Sequence, residues 1–165
     1  PPPPPPPPLF FFKLKSAYEI SLGLVVSEMC IRDRWTEWPP LVLAGCDEPL
    51  VEGAPDLRGV WQVYKGPLRG HIERIEQAGA RVVITAGGIT HDLTAGGASM
   101  TDEGLGGAEI SVAARYEGGR LNLYLNNKRL VVSRYRDGND LVWRWGPYRN
   151  RLRRLNDPPK NNPPL

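Results

Sequence analysis

The chain has 165 residues, a formal net charge of +3, 41% apolar residues and two cysteines. That length is one domain's worth, with room for a single core. The N-terminal apolar stretch 10–26 is broken by Lys13, Lys15 and Glu19, which excludes a membrane-spanning helix.

In chain order, the first segment is the run of prolines at 1–8. As protein it would be a polyproline II spacer; it is also what a run of C bases encodes. It stands where a signal peptide would carry a basic n-region, so no signal peptide is read there. Residues 13–20, KLKSAYEI, and 24–34, LVVSEMCIRDR, resemble the translation of a transposon-type sequencing-library adapter. In frame, that adapter reads KQKTAYEI and then LVGSEMCIRDR. Ser21, Leu22 and Gly23 fall where its variable index would sit. The resemblance implies that 1–34 is not native and that the chain is of metagenomic origin, so these residues are set aside from the fold.

Setting them aside removes Cys30 and leaves Cys46, which cannot form an internal disulfide. From Trp35 onward there are 17 Lys and Arg against 15 Asp and Glu. The balance is uneven: 35–127 holds 7 basic and 12 acidic residues, and 128–165 holds 10 basic and 3 acidic.

Leu43-Ala44-Gly45-Cys46 resembles the lipobox of bacterial lipoproteins. The resemblance implies a diacylglycerol on Cys46, cleavage before it, and a domain anchored in the bacterial cell envelope and facing the periplasm. Residues 35–46 would then be a truncated lipoprotein signal, and 47–56 an acidic, Pro-containing linker. Two acyl chains suffice for stable anchoring. Glu37 and the Pro39-Pro40 pair depart from an apolar h-region. The alternative is a buried Cys at the end of a short apolar strand.

From Leu57 the pattern has period two. Strands are expected over 57–65, 71–77, 81–85 and 89–94. Ile72 and Ile75, three apart, point to a bulge or a helical turn. Ala108, Ile110, Val112, Ala114 and Tyr116 then alternate with polar neighbours, and Gly118-Gly119 turns the chain. Leu121, Leu123 and Leu125 follow, and Asn126-Asn127 turns it again into 130–136. Asp137-Gly138-Asn139 leads to Leu141, Trp143 and Trp145, and the last strand is expected over 148–155. Residues 156–165 form a Pro/Asn-rich tail.

Eight or nine short strands in sequential hairpins predict an all-β, small up-and-down antiparallel barrel over 57–155. Closure removes unpaired edges. The segments Asp56-Leu57-Arg58-Gly59-Val60-Trp61 and 148–154 resemble the first and last strands of compact lipocalin-like domains. The resemblance implies a closed-end pair in which Trp61 packs against an arginine of the last strand, here Arg154, a cation–π contact worth about 0.5–2 kcal/mol.

His91, between Ile89 and Leu93 on an apolar strand face, is a lumen candidate with Tyr116, Trp143 and Trp145. A satisfied core histidine is the other reading of His91. No metal site, cofactor motif or catalytic arrangement is read: two histidines and one lipidated cysteine do not make a zinc site, and the glycine pairs lack a phosphate-loop signature. Arg149, Arg151 and Arg153 share a strand face, with Arg144 and Arg136 on neighbouring strands and Trp143, Trp145 and Tyr148 interleaved. That face fits lipid headgroups or an acidic partner; nucleic acid is not expected of an exported domain. Two functions follow. One is a non-enzymatic lipoprotein whose barrel binds a small apolar ligand. The other is a tethered interaction or inhibitor protein with a side-chain-filled barrel and an Arg/Trp face. An open cavity or a solid core separates them.

Overall fold

The computed structural model describes residues 38–104 and 108–156. The adapter-like segment 1–34 lies outside the described residues, as do 35–37 and the tail from 157.

Ten strands follow one another: β1 (Gly59–Lys65), β2 (Ile72–Ala78), β3 (Arg81–Ala86), β4 (Ile89–Thr94), β5 (Met100–Glu103), β6 (Glu109–Glu117), β7 (Arg120–Leu125), β8 (Arg129–Asp137), β9 (Asp140–Trp145) and β10 (Tyr148–Arg154). The sheet order is β4-β3-β2-β1-β10-β9-β8-β7-β6-β5. It is an up-and-down antiparallel meander, and pairing of β1 with β10 curls it into a nearly closed barrel. Period-two alternation sets the register, because a slip of one residue would turn every apolar side chain outward. On β6 and β7, for example, Val112, Ala114 and Tyr116 stand opposite Leu125, Leu123 and Leu121. The turn into β8 places Asn126 and Asn127 at φ 50° and 58°, left-handed values that asparagine tolerates.

The structure departs from the strands read from sequence in two places. Among the described residues there are ten strands, one more than the sequence predicts: β5, Met100–Glu103, has no apolar alternation and follows a glycine-rich stretch. It is a strand because β6 offers it an edge, pairing Met100 with Val112 and Asp102 with Ile110. The spacing of Ile72 and Ile75 reflects neither a bulge nor a helical turn. The register of β2 with β1 and with β3 is unbroken, and both faces of the strand are buried. Ile75 joins the main core with Trp61, while Ile72 shares the outer face with Arg74, Glu76 and Ala78.

Part of that outer face is covered by the segment before β1. The Leu43 amide donates to Glu76 Oε1 at 2.9 Å, Arg74 donates to the Pro39 carbonyl at 2.8 Å, and its guanidinium lies over the Trp38 ring at 5.4 Å. Leu43, Ala78 and Val83 form a small second core. Residues 47–56, read from sequence as a tether, run on along the β2–β3 hairpin, where Val51 donates to the Gly79 carbonyl and Gly79 to that of Glu48.

One end of the barrel is filled. Trp61 is fully buried there, its indole N–H donating to the Leu57 carbonyl at 2.8 Å. Arg154 faces it across the β1–β10 ladder, with its guanidinium 5.8 Å from the ring centroid. Arg136, grouped by sequence with the basic face, instead lies over the same ring at 4.8 Å. A Cβ at Gly59, where φ is +131°, would come within 2.7 Å of Arg154 Nε. The glycine of the Gly-x-Trp segment thus leaves the arginine room to cross β1.

Candidate functional site

The other half of the lumen is open. A cavity of about 190 Å³ lies there, walled largely by aliphatic and aromatic side chains such as Ile84, Val112, Leu123 and Trp145. The β7–β8 register shifts beside Val131, since Leu123 faces Val132 while Tyr124 faces Leu130. This bulge lets Val131 and Val132 both line the cavity.

The structure places His91, Trp143 and Trp145 on the cavity wall. Tyr116 is not there. Its hydroxyl pairs with Gln77 Nε2 at 2.9 Å, toward the filled end, and burial pushes its phenol pKa upward. Sequence parity shows that Tyr116 points inward, but not at which height in the barrel.

Four polar lining residues were not among the lumen candidates read from sequence: His71, Glu73, Asp102 and Arg134. Charged side chains within strands are normally solvated, and here the compensating partners are remote in sequence. Arg134 on β8 reaches across the lumen to Glu73 on β2, Nε to Oε1 at 3.1 Å and Nη2 to Oε2 at 3.0 Å. This is a forked, two-bond pair, and both side chains are buried. The Arg134 guanidinium also lies 5.0 Å from the Trp143 ring centroid. On the other side, the His71 ring sits 5.3 Å from Trp143, which in turn stacks on Trp145 at 5.8 Å.

Burial holds the His71 imidazole pKa down at about 4; nearby Glu73 pulls it up and Arg134 pushes it down, without reversing the direction. His71 is therefore neutral at pH 7. Since the unfolded chain binds this proton at an ordinary pKa near 6.5, protonation favours unfolding as pH falls below that value. The contribution of His71 is full above pH 6.5 and is lost between about 6.5 and 4, amounting to about 3 kcal/mol at the acid end. Urea titrations at stepped pH should show this loss in the native protein and its disappearance in His71→Phe.

Strands β4 and β5 end the sheet order, and among the described residues no strand ladder joins them. The seam carries an isolated bridge between Ala95 and Ala114, and His91 Nδ1 meets Asp102 Oδ2 across it at 2.7 Å. His91 is thus a lumen-wall residue engaged with a carboxylate.

On the outside, Arg144, Arg149 and Arg153 are exposed, but Trp143 and Trp145 point inward. The expected Arg/Trp face is therefore an arginine face alone. Part of its charge is compensated. Arg151 pairs with Asp137 at 2.8 Å and Asp140 at 2.9 Å, and Arg149 lies 3.9 Å from Asp137; among the described residues Arg153 donates only to the neutral Gln62 amide oxygen, at 3.1 Å. Cys46 is a free, exposed thiol just after Gly45, in a turn closed by its own amide on the Leu43 carbonyl. Among the described residues, no group of three or more His, Cys, Asp or Glu could hold a metal ion, and no helix is long and apolar enough to cross a membrane.

No family model matches the chain, and no curated protein matches it. Among solved structures it is similar to human cRBP IV, with a TM-score of 0.50 and 14% identity, over 61% of this chain and 98% of that one. At that identity the likeness is one of fold: a lipocalin-like barrel.

Proposed function

We propose that this barrel binds a small, largely apolar molecule in its lumen, without covalent chemistry. The observation that carries the reading is the cavity of about 190 Å³, walled mostly by apolar side chains inside a nearly closed barrel. The lipocalin-like fold shared with human cRBP IV agrees with it. The volume limits the occupant. An apolar cavity of about 150 Å³ holds benzene, and drug-sized ligands need roughly 300 Å³ or more. A molecule of one ring, or two at most, fits here. A barrel filled by its own side chains, as the interaction-protein alternative requires, would have no such space.

Val112→Phe tests the reading, since Val112 is buried and lines the cavity. The larger ring should weaken binding of one-ring aromatic molecules at least tenfold, read from fluorescence of the lumen tryptophans, at a stability cost of about 1–3 kcal/mol. Unchanged binding in a folded variant would place the ligand elsewhere.

The proposal includes an anchor. Cys46 within Leu43-Ala44-Gly45-Cys46 would carry the lipid of a bacterial lipoprotein facing the periplasm, and its exposure and position outside the barrel support this. Processing before Cys46 would remove Pro39, Pro40 and Leu43 from β2 and β3, uncovering Ala78 and Val83 beside the anchor. Expressed in a bacterial host with residues 35–165 placed behind a basic n-region and apolar segment that complete the signal, the protein should sediment with membranes and carry a denaturant-resistant mass increase. Cys46→Ser should abolish both; membrane association that survives this substitution would refute the anchor.

A further inference from the structure

We infer that the lumen ligand is uncharged and presents a hydrogen-bond acceptor, a carbonyl or hydroxyl oxygen, to Trp143 Nε1 and His71 Nε2. This deepens the lumen reading and rests on it. Both nitrogens are buried and neither has a hydrogen-bond partner within the protein, although both residues line the cavity and their rings lie 5.3 Å apart. Buried polar groups are ordinarily paired, and leaving one unpaired costs stability. Trp143 Nε1 can only donate, and His71 Nε2 donates or accepts according to tautomer. The Glu73 carboxylate, at 4.0 Å from His71 Nε2, is too far for a hydrogen bond. A ligand oxygen can accept from Trp143 Nε1–H and, in the Nε2-protonated tautomer, from His71.

The charged groups of the wall say what the rest of the ligand must lack. Arg134 is held by both carboxylate oxygens of Glu73, and Asp102 is engaged by His91. An entering carboxylate would find its cation already compensated, and an entering ammonium would find both carboxylates taken. A carboxylate would be desolvated without a free counter-charge, and an ammonium would have to break the His91–Asp102 hydrogen bond to reach one. A compact neutral ring bearing one oxygen meets no such penalty, and it covers the apolar wall with its remaining surface.

Four probes of matched non-hydrogen atom count separate the cases: cumene, acetophenone, benzoate and 1-phenylethylammonium, titrated calorimetrically into the full chain. Acetophenone should bind about tenfold tighter than cumene, the difference expected from one net hydrogen bond, and both ions should bind more weakly than cumene. Trp143→Phe should reduce the advantage of acetophenone over cumene, read as the ratio of the two affinities measured on the same variant, because it removes one of the two nitrogens while changing the apolar wall for both probes alike. If that variant does not fold, the Trp143 indole N–H resonance of the native chain should move downfield with acetophenone and not with cumene. Cumene binding as well as acetophenone would mean that water alone satisfies the two nitrogens, and would overturn the inference while leaving the lumen reading intact. An ion binding tightest would also overturn it. Binding of none of the four would overturn the lumen reading itself.

Discussion

Glu73→Gln is expected to destabilise the barrel by about 3–5 kcal/mol, because it leaves the Arg134 guanidinium buried without its counter-charge. Arg134 cannot neutralise itself by losing a proton, and its guanidinium points into the lumen from β8, where Glu73 supplies both acceptors. Arg134→Met should cost a comparable amount by stranding the carboxylate. The double substitution Glu73→Leu with Arg134→Met should recover most of either loss, since apolar residues of similar volume often replace a buried ion pair without penalty. Urea unfolding of the four species closes the cycle. Losses that simply add would show that the two groups are solvated separately and not paired. Against a typical domain stability of about 5–15 kcal/mol, the single variants should still fold, but with much lower midpoints.

Trp61→Ala should cost about 3–5 kcal/mol, the range for removing a large aromatic from a core. Trp61 has no exposed surface, it caps the filled end through its bond to the Leu57 carbonyl, and two guanidinium groups lie over its ring. Trp61→Phe should lose less, about 1–2 kcal/mol, because it removes one hydrogen bond and part of the ring but leaves a face for Arg136 and Arg154. Thermal unfolding in parallel with Arg136→Ala apportions the effect. If Trp61→Ala proved nearly neutral, the filled end would not be the barrel's structural base.

What could be read in advance, and what could not, follows from the range of the forces involved. The hairpins from β6 to β9 are legible because each apolar side chain faces one core and each turn is marked by Gly, Asn or Asp. The inward parity of His91, Trp143 and Trp145 follows from the same alternation, whereas the place of Arg154 opposite Trp61 is what the resemblance of the first and last strands to lipocalin-like domains implies. Strand β5 is not legible, since pairing with β6 and not its own side chains makes it extended. Ile72 misleads because the outer face of β2 is buried as well as the inner one, in part by residues far upstream, and a local pattern carries no record of that cover. Glu73 and Arg134 escape for a related reason. Each looks like a solvated charge until the curl of the sheet brings β2 and β8 face to face across the lumen. The basic face was misjudged by grouping residues without regard to parity, which sends Trp143 to one side of β9 and Arg144 to the other.

The occupied lumen is the central claim, and native mass spectrometry of the full chain tests it most directly. The protein should be purified from a bacterial host without denaturant and also incubated with one-ring aromatic probes. The expected result is a non-covalent adduct on the order of 100–200 Da, the size the cavity admits, lost on denaturation and absent from Val112→Phe. Detection of the unliganded mass alone under both conditions would contradict the account.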